Sequence, residues 1–295
     1  MRAIEEHLAT RASAGLFDFS FMGLYEFPDA AALQPLQTRD LAAVAPGQLV
    51  YTLFLNEDGS VFNDATAWRL PGGQWWVFTG RRSDFARWRG AARDRSGEYA
   101  ILALQGPRSG QLLAGLAGKD FVLSLKYFRF QQQGDLVVAR LGYSGELGYE
   151  LLVPAAQEKE LRGRILGQGV PECSFEAADS LRIESGYVIF DREIDGRANP
   201  RELGLERLVA APRTFPLARK LVGLLIQEEA SKNEPAAEAA LTSECFSPNL
   251  DRRIGLGFAP PEAQGEVRLA DGRSALISSL PFYDPERRRP RGTPL

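Results

Sequence analysis

The stretch Leu141–Pro154, LGYSGELGYELLVP, decides how the whole chain is read. Gly142, Gly145 and Gly148 alternate with Tyr143, Glu146, Tyr149 and Glu150, after which the run turns apolar. Glycine inside a strand marks a bulge or a close backbone approach, so the segment is expected to be a glycine-rich strand against which a ligand lies.

Outward from it, 295 residues with 44% hydrophobic content predict one large domain followed by a smaller one. No apolar run reaches the roughly 18 residues of a membrane span, and MRAIEEHLATRASAG lacks the order of a signal peptide, which predicts a cytoplasmic protein without membrane partners. A net charge of −3 argues against nucleic acid as a partner. The basic run at Arg287 to Arg291 is expected to be a solvated tail. Cys173 and Cys245 are too isolated for a disulfide framework or a cysteine metal site, and read as buried small hydrophobes. With His7 as the single histidine, most His-dependent triads and metal clusters drop out. Chemistry is left to carboxylates, tyrosines, backbone groups or a cofactor.

Turn signals organise the rest. Residues 1–15 read as a helix closed by Gly15. NEDG and PGG break Leu49–Gly80 into an antiparallel meander, and RRSDFARWRGAARDRSG reads as a helix capped by Ser83 or Asp84. EYAILALQG is a strand feeding a helix from Pro107 to Gly118, and AAQEKELRGRILGQG is another helix. SFEAADSLRIESG is a helix with Ser174 as cap and Gly186 as terminator. Beyond AAPRTFP (Ala210–Pro216), short strands around a polar loop, EEASKNEPAAEA, and a hairpin at Asp271-Gly272 predict a small β-barrel. Strands and helices interleave without βαβ order, so the class is α+β, with domains 1–212 and 213–295.

In SVFNDATAWRL the period of two sets Asp64 on a face shared with Phe62, Thr66, Trp68 and Leu70. A carboxylate there is either a desolvated proton acceptor and electrostatic partner of a developing cation, or a structural residue bonded to nearby backbone. Glu150 can accept paired N–H donors from an amino-pyrimidine edge or from one of the many arginines. Tyr127 and Phe128 form either a stacking platform or ordinary core. No phosphate-binding glycine loop is present.

These segments together resemble the glycine-cleavage T-protein (aminomethyltransferase) family. AGLFDFSFMG is similar to its A-G-hydrophobic-F-D-x-S-H-M segment, LALQGPRS to its strand ending in Q-G-P, and GYSGELGYE to its G-Y-[TS]-G-E-x-G-Y-E signature. ADSLRIESGY resembles R-D-[ST]-L-R-L-E-A-G, and LTSECFSPNLDRRIGLGF the T-S-G-x-F-S-P-x-L segment, in the same order from about residue 8 to about 284. The resemblance implies a folate-binding part of intertwined subdomains followed by a small C-terminal β-barrel, with the pterin in a central channel. It implies a tetrahydrofolate-dependent one-carbon transferase, acting on a small-molecule substrate, that moves methyl or methylene to the folate. Position by position it makes Asp64 the acidic residue beside the reactive nitrogens and gives pterin-site roles to Tyr143 and Glu150. Tyr127, Phe128 and Met22 fall on the pocket lining, and Arg182 is the retained arginine of the R-D-S-L-R helix.

The sequence departs from the family pattern at Phe21, Thr79 and Ala178, and the segment between ELGLERLV and RKLVGL is reduced to AAPRTFP. REIDGRANPRELGLERLV is closer to folate-dependent demethylases and to dimethylglycine and sarcosine dehydrogenase C-terminal parts than to the T-protein, which implies a specialised transferase. A carrier protein is possible on this resemblance but nothing indicates one. Two alternatives share the fold: a folate-independent small-molecule reaction, and a non-catalytic folate-binding assembly protein. The cysteine motif of the iron–sulfur maturation factors is missing from YVIFDREIDGRANP, which counts against the latter.

Overall fold

A computed structural model describes residues 2–227 and 237–295. The chain opens with helix α1 (Arg2–Ala12), strands β1 (Gly15–Asp18) and β2 (Gly23–Phe27), and the short helix α2 (Ala30–Leu33). The meander follows as β3 (Leu49–Leu55), β4 (Val61–Arg69) and β5 (Trp75–Thr79). Its turns are those the sequence announces: Asn56 N–H donates to Ser60 O and Leu70 N–H to Gln74 O, each at 2.9 Å. Then come α3 (Phe85–Trp88), β6 (Arg93–Asp94), β7 (Tyr99–Gln105), α4 (Ser109–Ala117), α5 (Lys119–Ser124), β8 (Phe130–Gln133) and β9 (Leu136–Ala139). The first part closes with β10 (Gly148–Pro154), α6 (Glu158–Leu166), β11 (Glu172–Cys173) and α7 (Phe175–Glu184).

One sheet has the order β11-β1-β7-β10-β9-β8 and the other β3-β4-β5-β2-β6. The second sheet is inserted in sequence between β1 and β7 of the first, so the two are intertwined and the fold is α+β as expected. Strand alternation divides the core. Leu152, Ala103, Ala139 and Phe17 meet Leu24, Trp68, Trp76 and Phe78 of the second sheet. Tyr149, Leu151 and Val153, on the opposite face, pack with Leu113, Val122, Leu161 and Ile165 from the helices. Ala65, Ala67 and Val77 face outward onto Trp88 and Leu33.

The barrel is closed, in the order β12-β14-β13-β15-β16. Its strands are β12 (Lys220–Ile226), β13 (Glu238–Ser247), β14 (Arg252–Ala259), β15 (Glu266–Leu269) and β16 (Ser274–Ser278). Residues 228–236 of the expected polar loop lie outside the described residues. The barrel docks on α7 through Ile183, Ile254 and Leu256, joined by Leu280 and Phe282.

Four local expectations need correction. The first helix stops at Ala12, and Gly15 begins β1, where a Cβ would meet Thr10 Oγ1 at 2.4 Å. The predicted long helix after the meander is only α3, and Asp84 spends its carboxylate on Asn63 and Arg81 instead of capping. Residues 140–147 form an irregular loop between β9 and β10, because Gly145 takes φ +79° and breaks the extended path; Tyr143 stands on this loop and Glu150 on the strand after it. The basic tail is packed: Pro290 is buried, Arg289 pairs with Glu146 at 3.2 Å, and Arg140 donates to Gly292 O. Buried Glu146 is also paired with Arg11 at 3.1 Å, so the tail arginine is the second of two on one carboxylate. Ser174 does cap α7, accepting from Ala177 N–H at 3.3 Å. Cys173 is buried and Cys245 half-buried, both free.

Candidate active site

The site lies where the inner faces of the two sheets meet. On β4, Asp64 shares its face with Thr66 and Trp68, and Trp68 belongs to the inter-sheet core. Asp64 Oδ2 accepts a 2.7 Å hydrogen bond from the Tyr51 hydroxyl on β3. Burial pushes its carboxyl up to about 6, opposed by the Tyr51 bond, which favours the charged form. The side chain is nevertheless only half-buried. The group is desolvated and still reachable from outside the core.

Glu150 sits on β10 with Ala103 and Ala139 as its cross-strand neighbours, both part of the inter-sheet core. It is 6% exposed and makes no hydrogen bond or ion pair with any described residue. Burial alone pushes its carboxyl up to about 7. A buried carboxylate without a partner is costly and needs a donor from outside the chain or a proton.

Tyr143 stacks on Tyr187, centroids 5.9 Å apart at 21°, and donates to Val188 O at 2.7 Å. Its hydroxyl interacts electrostatically with Asp64 and with Tyr51, which brings the three groups into one cluster. Tyr127 and Phe128 lie ring edge to ring face at 4.8 Å. Phe128 has φ +59° and is pinned by Leu49 N–H to its carbonyl and by its own N–H to Arg140 O. The two ring pairs, Tyr143–Tyr187 and Tyr127–Phe128, are the aromatic walls of the site. Met22 is half-buried against the same core cluster.

Arg182 is placed differently. Its guanidinium is fully buried and donates to Asp179 at 2.8 Å, Tyr187 O at 3.0 Å, Glu193 at 2.7 Å and Ser243 Oγ at 2.6 Å. With four of five N–H groups spent, it holds the wall from behind and offers no fork to a ligand. Of the departures, Phe21 is exposed and packs edge-on to Phe175 at 5.7 Å. Thr79 is buried and donates to Arg81 O at 3.0 Å, while Ala178 is part of the inter-sheet core.

Sequence reasoning missed Tyr51, Tyr187 and Glu193. Tyr51 was within reach, because the NEDG turn fixes β3 against β4 with Leu53 opposite Asp64, which makes Tyr51 a same-face diagonal neighbour. Tyr187 and Glu193 lie in irregular chain that no periodicity marks. Among the described residues no group of His, Cys, Asp and Glu is arranged to hold a metal, and no helix is long and apolar enough to cross a membrane.

The chain as a whole is similar to known proteins. Residues 2–213 match the GCVT N-terminal domain family. An aminomethyltransferase of Rubrobacter xylanophilus is 34% identical over 97% of this chain and 88% of its own length. A probable aminomethyltransferase of Natronomonas pharaonis is 34% identical over 95% of this chain and 90% of its own. Among solved structures, the glycine cleavage system aminomethyltransferase T from Bartonella henselae superposes with a TM-score of 0.82 at 26% identity, covering 96% of this chain and 90% of that one.

Proposed function

Since this chain belongs to the GCVT N-terminal domain family, whose relatives are aminomethyltransferases, we propose that it moves a one-carbon unit from a small amine to tetrahydrofolate. The observation that carries the proposal is Glu150, a buried carboxylate with no partner among the described residues, set between Ala103 and Ala139 across the sheet. That combination fits a flat ligand whose edge brings paired N–H donors, which an amino-pyrimidine does. Glu150 would hold the pterin edge, and Tyr143, Tyr127, Phe128 and Met22 would line its faces and rim. When bound, the folate supplies the nitrogen that accepts the one-carbon unit.

Asp64 is the residue that handles charge and protons. Its Oδ2 is held by Tyr51, which leaves Oδ1 for the reacting groups. Near its raised pKa of about 6 it exchanges a proton close to neutrality, and as a carboxylate it stabilises positive charge developing at the donor nitrogen. The demethylase-type version of the reaction is supported by the segment Arg192–Val209, which resembles those enzymes and packs against the strands that carry Tyr51 and Asp64. There Val61 N–H donates to Ala198 O at 2.7 Å, and Leu203 and Leu208 pack with Leu53 and Val61.

Thermal unfolding with tetrahydrofolate tests the proposal. A ligand at about 100 times its Kd stabilises by roughly 2.7 kcal/mol. Glu150→Ala should lose that stabilisation, and Asp64→Asn should keep it while losing turnover. No shift at millimolar folate overturns the proposal and leaves the folate-independent alternative.

A further inference from the structure

Helix α1 is inverted: it buries Glu6, His7, Thr10 and Arg11 while Ile4 and Leu8 stay exposed, so polar bonds make the contact that an apolar stripe usually makes. At its centre His7 is fully buried. Its Nδ1 lies 2.7 Å from Ser180 Oγ on α7, and its Nε2 lies 3.1 Å from Glu184 Oε2 and 3.2 Å from Asn249 Nδ2. Ser180 Oγ spends its one proton on Ala177 O at 3.0 Å, so it accepts from His7 and Nδ1 carries a proton. Asn249 Nδ2 also donates to Glu184 Oε2 at 2.8 Å, which fixes the orientation of the amide, since its oxygen there would face a carboxylate.

Nε2 therefore stands between a carboxylate, which only accepts, and an amide NH2, which only donates. Each proton state of the ring has its partner already in place. We propose that His7 is a buried proton switch: its Nε2 donates to Glu184 when protonated and accepts from Asn249 when neutral, and the exchange changes how Glu184 shares Arg11 with the loop that carries Tyr143. Imidazole takes both roles at one nitrogen by gaining or losing a proton. Asn249 is exposed, which sets the buried ring one side chain from solvent.

The carboxylate that faces the switch also holds the loop. Glu184 Oε2 accepts from Arg11 Nε at 3.2 Å and Nη2 at 2.8 Å, while Arg11 Nη1 donates to Ser144 O, next to Tyr143, at 2.7 Å and to Glu146 Oε1 at 3.1 Å. With His7 protonated, two cations share Glu184; with it neutral, Arg11 is left as the cation on it. The other charged and titratable groups nearby are turned elsewhere or meet the network at these same atoms. On α1, Glu6 is bonded to Ser174 and Arg2; on α7, Arg182 is bonded to Asp179 and Glu193. Cys173 faces Thr10 at 3.9 Å. From the barrel, Cys245 Sγ lies 3.9 Å from Ser180 O, and Ser247 donates to Glu184 Oε1. Glu146 and the Tyr283 ring meet Arg11, and Arg289 meets Glu146.

Because the chain has one histidine, its ring signals need no assignment. Long-range 1H–15N spectra of the 15N-labelled full chain follow the ring from about pH 5 to about pH 9. Nδ1 should stay protonated throughout while Nε2 loses its proton. The side-chain amide of Asn249, identified by its loss in Asn249→Ala, and the backbone amides of residues 140–147 should move with the same midpoint. Asn249→Ala removes the donor to neutral His7 and should raise that midpoint by about half to one pH unit. Ser180→Ala removes an acceptor that binds the cation more strongly than the neutral ring, and should lower it by about as much. An Nε2 that keeps one proton state over this range, a neutral ring with its proton on Nε2, loop amides that ignore the titration, or two variants that shift the midpoint the same way would each overturn the proposal. Should either variant fail to fold, the parent titration still decides, because the tautomer and the shared midpoint are read without it.

Discussion

The Tyr51 hydroxyl donates to Asp64 Oδ2 at 2.7 Å across the β3–β4 hairpin. The bond favours the ionised carboxylate and opposes burial, which pushes the carboxyl up to about 6. A hydrogen bond to a charged group contributes about 1.5–3 kcal/mol. At about 1.4 kcal/mol per pH unit, Tyr51→Phe should therefore raise the Asp64 midpoint by roughly one to two units. At neutral pH most of Asp64 would then be protonated, and the pH profile of kcat should shift to higher pH by that amount. A profile superimposable on the parent's would remove Tyr51 from the site's electrostatics.

Glu150 makes the opposite kind of prediction, one about stability. Its folded carboxyl is pushed up to about 7 from an ordinary value of 4.5, so between those values the native state binds more protons than the unfolded state. Stability therefore falls as pH rises through this window, and the full cost is present above pH 7. The shift corresponds to about 3 kcal/mol as an upper figure. Glu150→Gln should be more stable than the parent at pH 8 by about 2–3 kcal/mol, and the difference should shrink to nothing near pH 4. Urea unfolding at both pH values measures it. A variant less stable than the parent at pH 8 would mean that the carboxylate has a partner.

The corrected segments show which physics the sequence carried. Turn chemistry and strand alternation are local, so the meander, the Ser174 cap, the barrel hairpin and the odd face of Asp64 were legible from residues alone. The loop at 140–147 and the packed tail were not, since both depend on buried Glu146, whose partners Arg11 and Arg289 come from opposite ends of the chain. Arg182 was marked by the family resemblance, but its partner Ser243 is 61 residues away on the barrel. Nothing in the helix pattern could reveal that its donors were already spent.

Removing Arg182 should break more than one contact. Arg182→Met would leave Glu193 fully buried with hydroxyl and backbone donors but no counter-charge. Breaking a buried pair from one side costs about 3–5 kcal/mol. Because the same guanidinium holds Tyr187 O, and Tyr187 stacks on Tyr143, ligand affinity should fall along with stability. Arg182→Lys should recover the charge but not the fork, and so regain only part of both. Calorimetric unfolding and a binding titration read the two effects separately; full stability in Arg182→Met would mean that the network is dispensable.

The tail gives a contrast between two arginines on one carboxylate. Glu146 accepts from Arg11 at 3.1 Å and pairs with Arg289 at 3.2 Å, and the Tyr283 ring lies under both guanidinium groups, at 3.9 and 4.8 Å. Arg289 is half-exposed, and Arg11 still neutralises Glu146 when it is gone, so Arg289→Ala should cost about 1 kcal/mol or less. Arg11→Met removes the buried partner of both Glu146 and Glu184 and should cost about 3–5 kcal/mol. In Arg289→Ala, hydrogen exchange should accelerate in residues 140–147 while the barrel stays protected, because the tail closes over that loop and not over the barrel strands. A truly solvated tail would leave the loop's exchange unchanged, and only a docked one couples residue 289 to the backbone that carries Tyr143.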